Sequence, residues 1–115
     1  MEKKQIKEMV AQEMEQIRQW CSLLECHLVE VVSKWQEQVG YQSEHLKVYY
    51  SNEDLKEILC LESDMEQEKI EKILSAFCML ESRKMGELQI TNIKKQYCID
   101  VPKEGCDYAA ERLAA

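Results

Sequence analysis

Six cysteines and two histidines are the side chains of this 115-residue sequence best suited to chemistry. A structural zinc site takes four thiolate or imidazole ligands, with the two in each pair a few residues apart. Cys21 and Cys26 stand five apart in a helical stretch, so they point roughly 140° away from each other. His27 adjoins Cys26 and points in a third direction. Cys98 and Cys106 flank Pro102 and Gly105 and can approach each other, but two thiols do not complete a site. The remaining thiols, Cys60 and Cys78, have no partner at ligand spacing. The cysteines therefore read as small packed hydrophobes, and no metal and no cofactor are expected.

Nucleophilic catalysis needs a nucleophile, a base and a group that orients the base. The only imidazoles are His27, on the long helix, and His45, in the first loop beside Glu44. Adjacent residues seldom aim at one point, so an enzyme would need His45, Glu44 and a cysteine to converge through the fold. Gly40, Gly86 and Gly105 are the only glycines, too few and too scattered for a phosphate-binding loop. The expectation is a protein that is not an enzyme.

The elements that would position these residues are mostly helical. Residues 4–39 contain no Gly or Pro, and Val10, Met14, Ile17, Cys21, Leu24, Leu28, Val31 and Trp35 recur at spacings of four and three. That is the apolar seam of a bundle or coiled-coil helix. Gln12, Glu15, Gln19, Ser22 and Ser33 read as its outer face, and Gly40 as its stop. The stripe widens from Trp20 to Val39, enough for contact with the chain's own core, and is narrow before that. A helix of this length runs roughly 50 Å, longer than a compact body of this size can cover. The seam residues Val10, Met14, Ile17, Trp20, Cys21, Leu24 and Leu28 are therefore the candidate interface. The expected partner is a second copy, giving a homodimer, or another helical protein.

Leu46 to Tyr50 reads as a strand, with a short helix after Ser43 as the alternative. Ser51 is an N-cap with acids behind it, opening a helix to about Leu61 that buries Leu55, Ile58 and Leu59. Ser63 and Glu66 have the spacing of a capping box. They open a third helix that buries Ile70, Ile73, Leu74, Phe77 and either Met79 or Leu80, and Gly86 closes it. The period then changes to two: Leu88 and Ile90, then Tyr97, Ile99 and Val101, with Asn92 to Lys95 as the turn. Pro102 to Gly105 stops the second strand, and a last short helix runs from Asp107 to about Leu113. The fold class is α+β, mostly α. The whole of 1–115 reads as one domain: the long helix 4–39, the body 41–106 and a terminal helix 107–115.

Composition narrows the function. Hydrophobic residues make up 45% of the chain and charged residues 32%, which places it among folded rather than disordered sequences. The net charge is −7, and this disfavours the phosphate backbone, whose affinity comes from Lys and Arg. The patch Trp20 to Val32 is too short and too polar to span a bilayer, so no membrane partner is expected. No apolar run follows Met-Glu-Lys-Lys, so no signal peptide is expected. A cytoplasmic protein with reduced thiols is the reading.

A helix, a strand, two helices and a hairpin introduced by Gly86 resemble, in that order, a winged helix-turn-helix domain over residues 20–101. The resemblance implies a DNA-binding regulator, with Gln67, Lys69 and Lys72 of the third helix in the major groove and Lys94 and Lys95 of the wing on phosphates. Glu66, Glu68 and Glu71 would face those phosphates unfavourably. An interaction or dimerisation module is therefore the leading expectation. The segment Tyr97-Cys-Ile-Asp-Val-Pro-Lys-Glu-Gly105 also resembles an uncharacterised bacterial domain family.

Overall fold

The computed structural model describes residues 3–40, 44–94 and 96–114. Helix α1 (Lys3–Val39) is followed by strand β1 (His45–Ser51), helix α2 (Asn52–Ile58) and helix α3 (Gln67–Met85). Strands β2 (Gln89–Ile93) and β3 (Gln96–Pro102) and helix α4 (Lys103–Ala114) complete the chain. The three strands form one antiparallel sheet in the order β1-β3-β2. The molecule measures 58 × 31 × 20 Å, its long dimension close to the length of a 37-residue helix.

The alternating residues of the strands explain the sheet. Val48 lies opposite Ile99, and Ile90 lies opposite the same residue from the other side. Tyr50 lies opposite Tyr97, so the apolar face continues along β1 and β3. That face is covered by α1, α3 and α4. Leu24, Leu28, Val32, Leu55, Phe77, Met85, Ile99, Val101 and Ala109 are completely buried in one common core. From α1 into α4, the Gln36 Nε2 donates to the Cys106 carbonyl at 3.2 Å, meeting a polar group inside the packing.

Several local signals act as their chemistry demands. The Ser51 Oγ accepts from the Asp54 N–H at 3.0 Å, and the Asp54 carboxylate accepts from the Ser51 N–H at 2.9 Å, a reciprocal cap on α2. Gly86 ends α3 with a φ of 75°.

Others differ from expectation. α2 stops at Ile58, because Cys60 takes a left-handed conformation (φ 56°) and breaks the helical run. The Ser63–Glu66 capping box does not form. Glu66 is the N-cap of α3 and has no side-chain cap bond, and the Ser63 carbonyl instead accepts from the Lys56 ammonium. The hairpin turns at Lys94 (φ 46°), with Asn92 still in β2.

Met79 and Leu80 are both exposed, at 78% and 49%. The buried stripe of α3 runs through Ile70, Ile73, Leu74, Phe77, Glu81 and Met85, so the helical period selects an acid over its apolar neighbours. Ser33, read as an outer residue of α1, is buried, since α1 is covered on more than one side there. α4 begins directly after Pro102, so the stretch read as a stop is its first turn. Gly105 is required there. A Cβ on it would meet the Val101 Cγ1 at 2.6 Å and the Met85 carbonyl at 2.9 Å.

Candidate functional site

The candidate site lies along α1, and burial divides its seam in two. Val10 and Met14 are half exposed, at 50% and 49%. Ile17 and Trp20 are partly buried against the core. Cys21, Leu24 and Leu28 are buried within the chain's own core, at 2%, 0% and 0%. These last three are already covered by α3, α4 and the sheet, which leaves Val10, Met14, Ile17 and Trp20 as the part of the seam that offers surface. From Val10 onward, Cys21 is the first residue of α1 that is buried.

α3 adds to this surface. Met14, Ile17 and Arg18 of α1 line a groove of about 230 Å³ together with Ala76, Met79 and Leu80 of α3. The exposure of Met79 and Leu80 joins the exposure of Met14 in one apolar patch. On the other flank of the seam, Gln16, Ile17 and Trp20 face Lys69 and Lys72 across a groove of about 390 Å³. The Lys69 ammonium sits 5.7 Å from the centre of a Trp20 ring, a cation–π contact.

The residues matched to a DNA-reading helix are thus dispersed. Lys69 and Lys72 border the groove beside α1. Gln67 donates to the Glu71 carboxylate at 3.4 Å, and Asn92 of β2 donates to the same oxygen at 3.3 Å. An acid of α3, Glu71, is therefore among the side chains that meet the hairpin. Lys94 stands at the hairpin turn, exposed, and Lys95 lies outside the described residues.

A carboxyl cluster that the sequence does not announce ties α1, α3 and α4 together. Glu25 of α1 and Glu81 of α3 are buried, at 6% and 4%. The Tyr108 hydroxyl donates to Glu25 at 2.6 Å, the Arg112 guanidinium bonds the same oxygen, and the Lys84 ammonium meets the other at 3.4 Å. Burial alone would raise Glu25. The Tyr108 hydroxyl, the Glu81 carboxyl and the two cations outweigh it and hold Glu25 below the usual carboxylate range. Glu81 goes the other way. Burial, then its hydrogen bond to Glu25 and the Glu25 charge, push it up to about 7. Two adjacent carboxyls in low dielectric cannot both ionise freely, so Glu81 keeps the proton. Burial and the charge of Glu81 push the neighbouring Cys21 thiol up to about 11. The signal available in the sequence was positional: Glu25 interrupts the apolar run of α1, and Glu81 lies four residues after Phe77.

The histidines find partners across the fold. The His45 Nδ1 lies 2.5 Å from the Asp100 carboxylate on the neighbouring strand, and both are solvent-accessible. The His27 Nδ1 lies 2.9 Å from the Tyr50 hydroxyl. All six cysteines are free thiols. Among the described residues no three His, Cys, Asp or Glu side chains are grouped to hold a metal ion. Among them also, no helix is long and apolar enough to cross a membrane.

The fold and this site define a mostly helical α+β protein in which a sheet of order β1-β3-β2 backs onto three helices, one of them extended. Residues 21–115 match a family model described as "Domain of unknown function, E. rectale Gene description (DUF3877)", and the chain belongs to that family. The match starts at Cys21, where α1 enters the core. No curated protein and no solved structure matches the chain.

Proposed function

We propose that this chain is a non-enzymatic interaction module that pairs through the first half of α1, with a second copy of itself as the partner. The observation that carries the reading is the exposed apolar patch of Val10, Met14, Met79 and Leu80, continuous with half-buried Ile17 and Trp20. Charge favours an antiparallel arrangement. Lys3, Lys4 and Lys7 precede Glu8, Glu13 and Glu15, so head-to-tail pairing sets opposite signs together while parallel pairing sets like signs together. Two copies related by a two-fold axis would bury the same patch on each other. The free thiols suit a reducing cytoplasm.

Light scattering across a concentration series tests the reading. A dimer is expected, and Met14→Asp should convert it to a monomer with an unchanged circular dichroism spectrum, because Met14 is half exposed in the single chain. A wild-type chain that stays monomeric at high concentration would sink self-association.

A winged-helix DNA-binding regulator is the second reading. What supports it is the sheet order β1-β3-β2 with two helices between β1 and the hairpin. Gln67, Lys69, Lys72, Lys94 and Lys95 would then supply the contacts. The acids of early α3 and the engagement of Lys69 with Trp20 weigh against it. A gel shift on bulk duplex at about 50 mM salt decides, since non-specific affinity is greatest at low salt.

A further inference from the structure

The sheet has an uncovered edge. β2 has β3 on one side and no strand on the other, and four of its five residues are exposed. In a two-residue hairpin loop the flanking pair, here Ile93 and Gln96, exchanges both of its backbone hydrogen bonds. Alternation then assigns the bonds to β3 to Gln89, Thr91 and Ile93, and turns the backbone N–H and C=O of Ile90 and Asn92 outward. Such an edge is a template for another strand unless a Lys, a Pro or a bulge blocks it. β1, the other edge, carries Lys47. The stretch Gln89-Ile-Thr-Asn-Ile93 carries no charge and no Pro, and its register on β3 runs without a bulge.

Space is present beside this edge. A groove of about 340 Å³ runs between α3 and β2, lined by Glu71, Leu74 and Cys78 of α3, by Ile90 and Asn92, and by Tyr97 of β3. A fourth strand would lie about 4.8 Å beyond β2, with every second side chain directed to that groove. The groove shares no lining residue with either groove along α1.

We propose that β2 pairs antiparallel with β2 of a second copy about a two-fold axis at Thr91, joining the two sheets into one. An axis there sets both outward residues of the strand against partners: Ile90 of each copy against Asn92 of the other, with Thr91 against Thr91 at the centre. Ile90 and Asn92 of each copy then face the other's groove. On the open face Ile93, 53% exposed, lies against Gln89 of the other copy. Charge selects the same occupant. The strand is uncharged, so two copies of a chain of net charge −7 meet there without local repulsion. The register brings exposed Lys94 level with Leu88 of the other copy, beside its exposed Glu87, at both ends of the pairing. A five-residue strand covers too little area to hold two single copies together for long. The contact therefore adds to pairing through α1 and does not depend on it.

A disulfide trap reads so brief a contact. Thr91 is the position that lies opposite itself, in a non-hydrogen-bonded pair whose spacing suits a disulfide. Thr91→Cys and, as the register control, Ile93→Cys are oxidised with copper phenanthroline in air, and cross-linked dimer is followed on non-reducing gels. The wild type supplies the background from the exposed Cys26 and Cys60. Thr91 and Ile93 are exposed, so neither change disturbs the core. Thr91→Cys should cross-link at least about tenfold faster than Ile93→Cys or the wild type, because only its thiols meet at disulfide distance. The same ratio is expected in a Met14→Asp background, so a failure of α1 pairing leaves this result standing. Adding Asn92→Pro removes an outward N–H and no bond to β3. It should return Thr91→Cys to the background rate with an unchanged circular dichroism spectrum. Equal rates at positions 91 and 93, or a background rate at 91, overturn the proposal and leave the edge to a strand of a different protein. An undiminished rate with Asn92→Pro overturns it as well.

Discussion

At the residue scale, the proton held between Glu25 and Glu81 gives the protein a defined response to pH. Glu81 titrates at about 7 in the folded chain, against an ordinary value of 4.5. Between those limits the folded state binds more protons than the unfolded state, so stability falls as pH rises through this window and levels off above it. Glu25 is shifted downward, so its contribution is present above about 4.5 and is lost as pH falls through its folded value. The groups facing the pair are Lys84, Arg112, Tyr108 and Cys21, and none of these is shifted toward neutrality. Urea unfolding should therefore show a higher midpoint near pH 5 than near pH 8. In Glu81→Gln the amide N–H takes the place of the carboxyl O–H toward Glu25. That variant should lose the slope between about pH 5 and 7 and gain on the order of 2 kcal/mol near pH 8. A slope equal to that of the wild type would show that another group carries the proton.

At the element scale, ends and corners set the arrangement. The reciprocal bonds of Ser51 and Asp54 satisfy two donors at the start of α2, a helix of only seven residues with little else to nucleate it. Ser51→Ala should cost about 1 kcal/mol in chemical denaturation, with faster amide exchange in residues 52–58. The corner between β3 and α4 rests on Gly105, where a side chain has no space beside Met85 and Val101. Gly105→Ala should destabilise by about 1–3 kcal/mol despite the better helix propensity of Ala. A gain in stability, as expected for a solvent-facing helix site, would contradict the close approach. These features differ in legibility. The Ser51 cap is local, carried by residues three apart, and was readable in sequence. The Gly105 contact joins β3, α3 and α4, and no local pattern separates such a glycine from a turn glycine. Likewise, Lys94 and not Asn92 takes the left-handed position, because the register of β2 on β3 fixes where the chain reverses.

At the scale of the whole molecule, α1 serves two surroundings. From Cys21 onward it is the central helix of the body, and before that it offers an apolar stripe that the chain itself leaves half exposed. Val10→Asp should leave the melting temperature of the monomer within about 2 °C of the wild type, since surface substitutions change stability little. The same variant should raise the dimer dissociation constant by at least about tenfold in sedimentation equilibrium, the cost of a buried unpaired charge. Leu24→Asp separates the two halves: Leu24 is completely buried, so this change should unfold the chain rather than merely divide a dimer.

The sequence by itself determined the elements of this protein: the long Gly- and Pro-free helix, the strand after it, the two further helices, the period-two hairpin and the terminal helix. Those follow from periodicity and end signals, which are properties of neighbouring residues. It also determined that the seam of α1 is apolar throughout. Only the tertiary structure decided which part of that seam is spent on the chain's own core and which part remains as surface. It also placed Glu81, and neither Met79 nor Leu80, on the buried face of α3, since helical phase is fixed by the partners a helix packs against. The Glu25–Tyr108–Arg112 cluster and the Glu71–Asn92–Tyr97 cavity belong to the same class. Their members come from distant parts of the chain, and their chemistry exists only once the elements have packed.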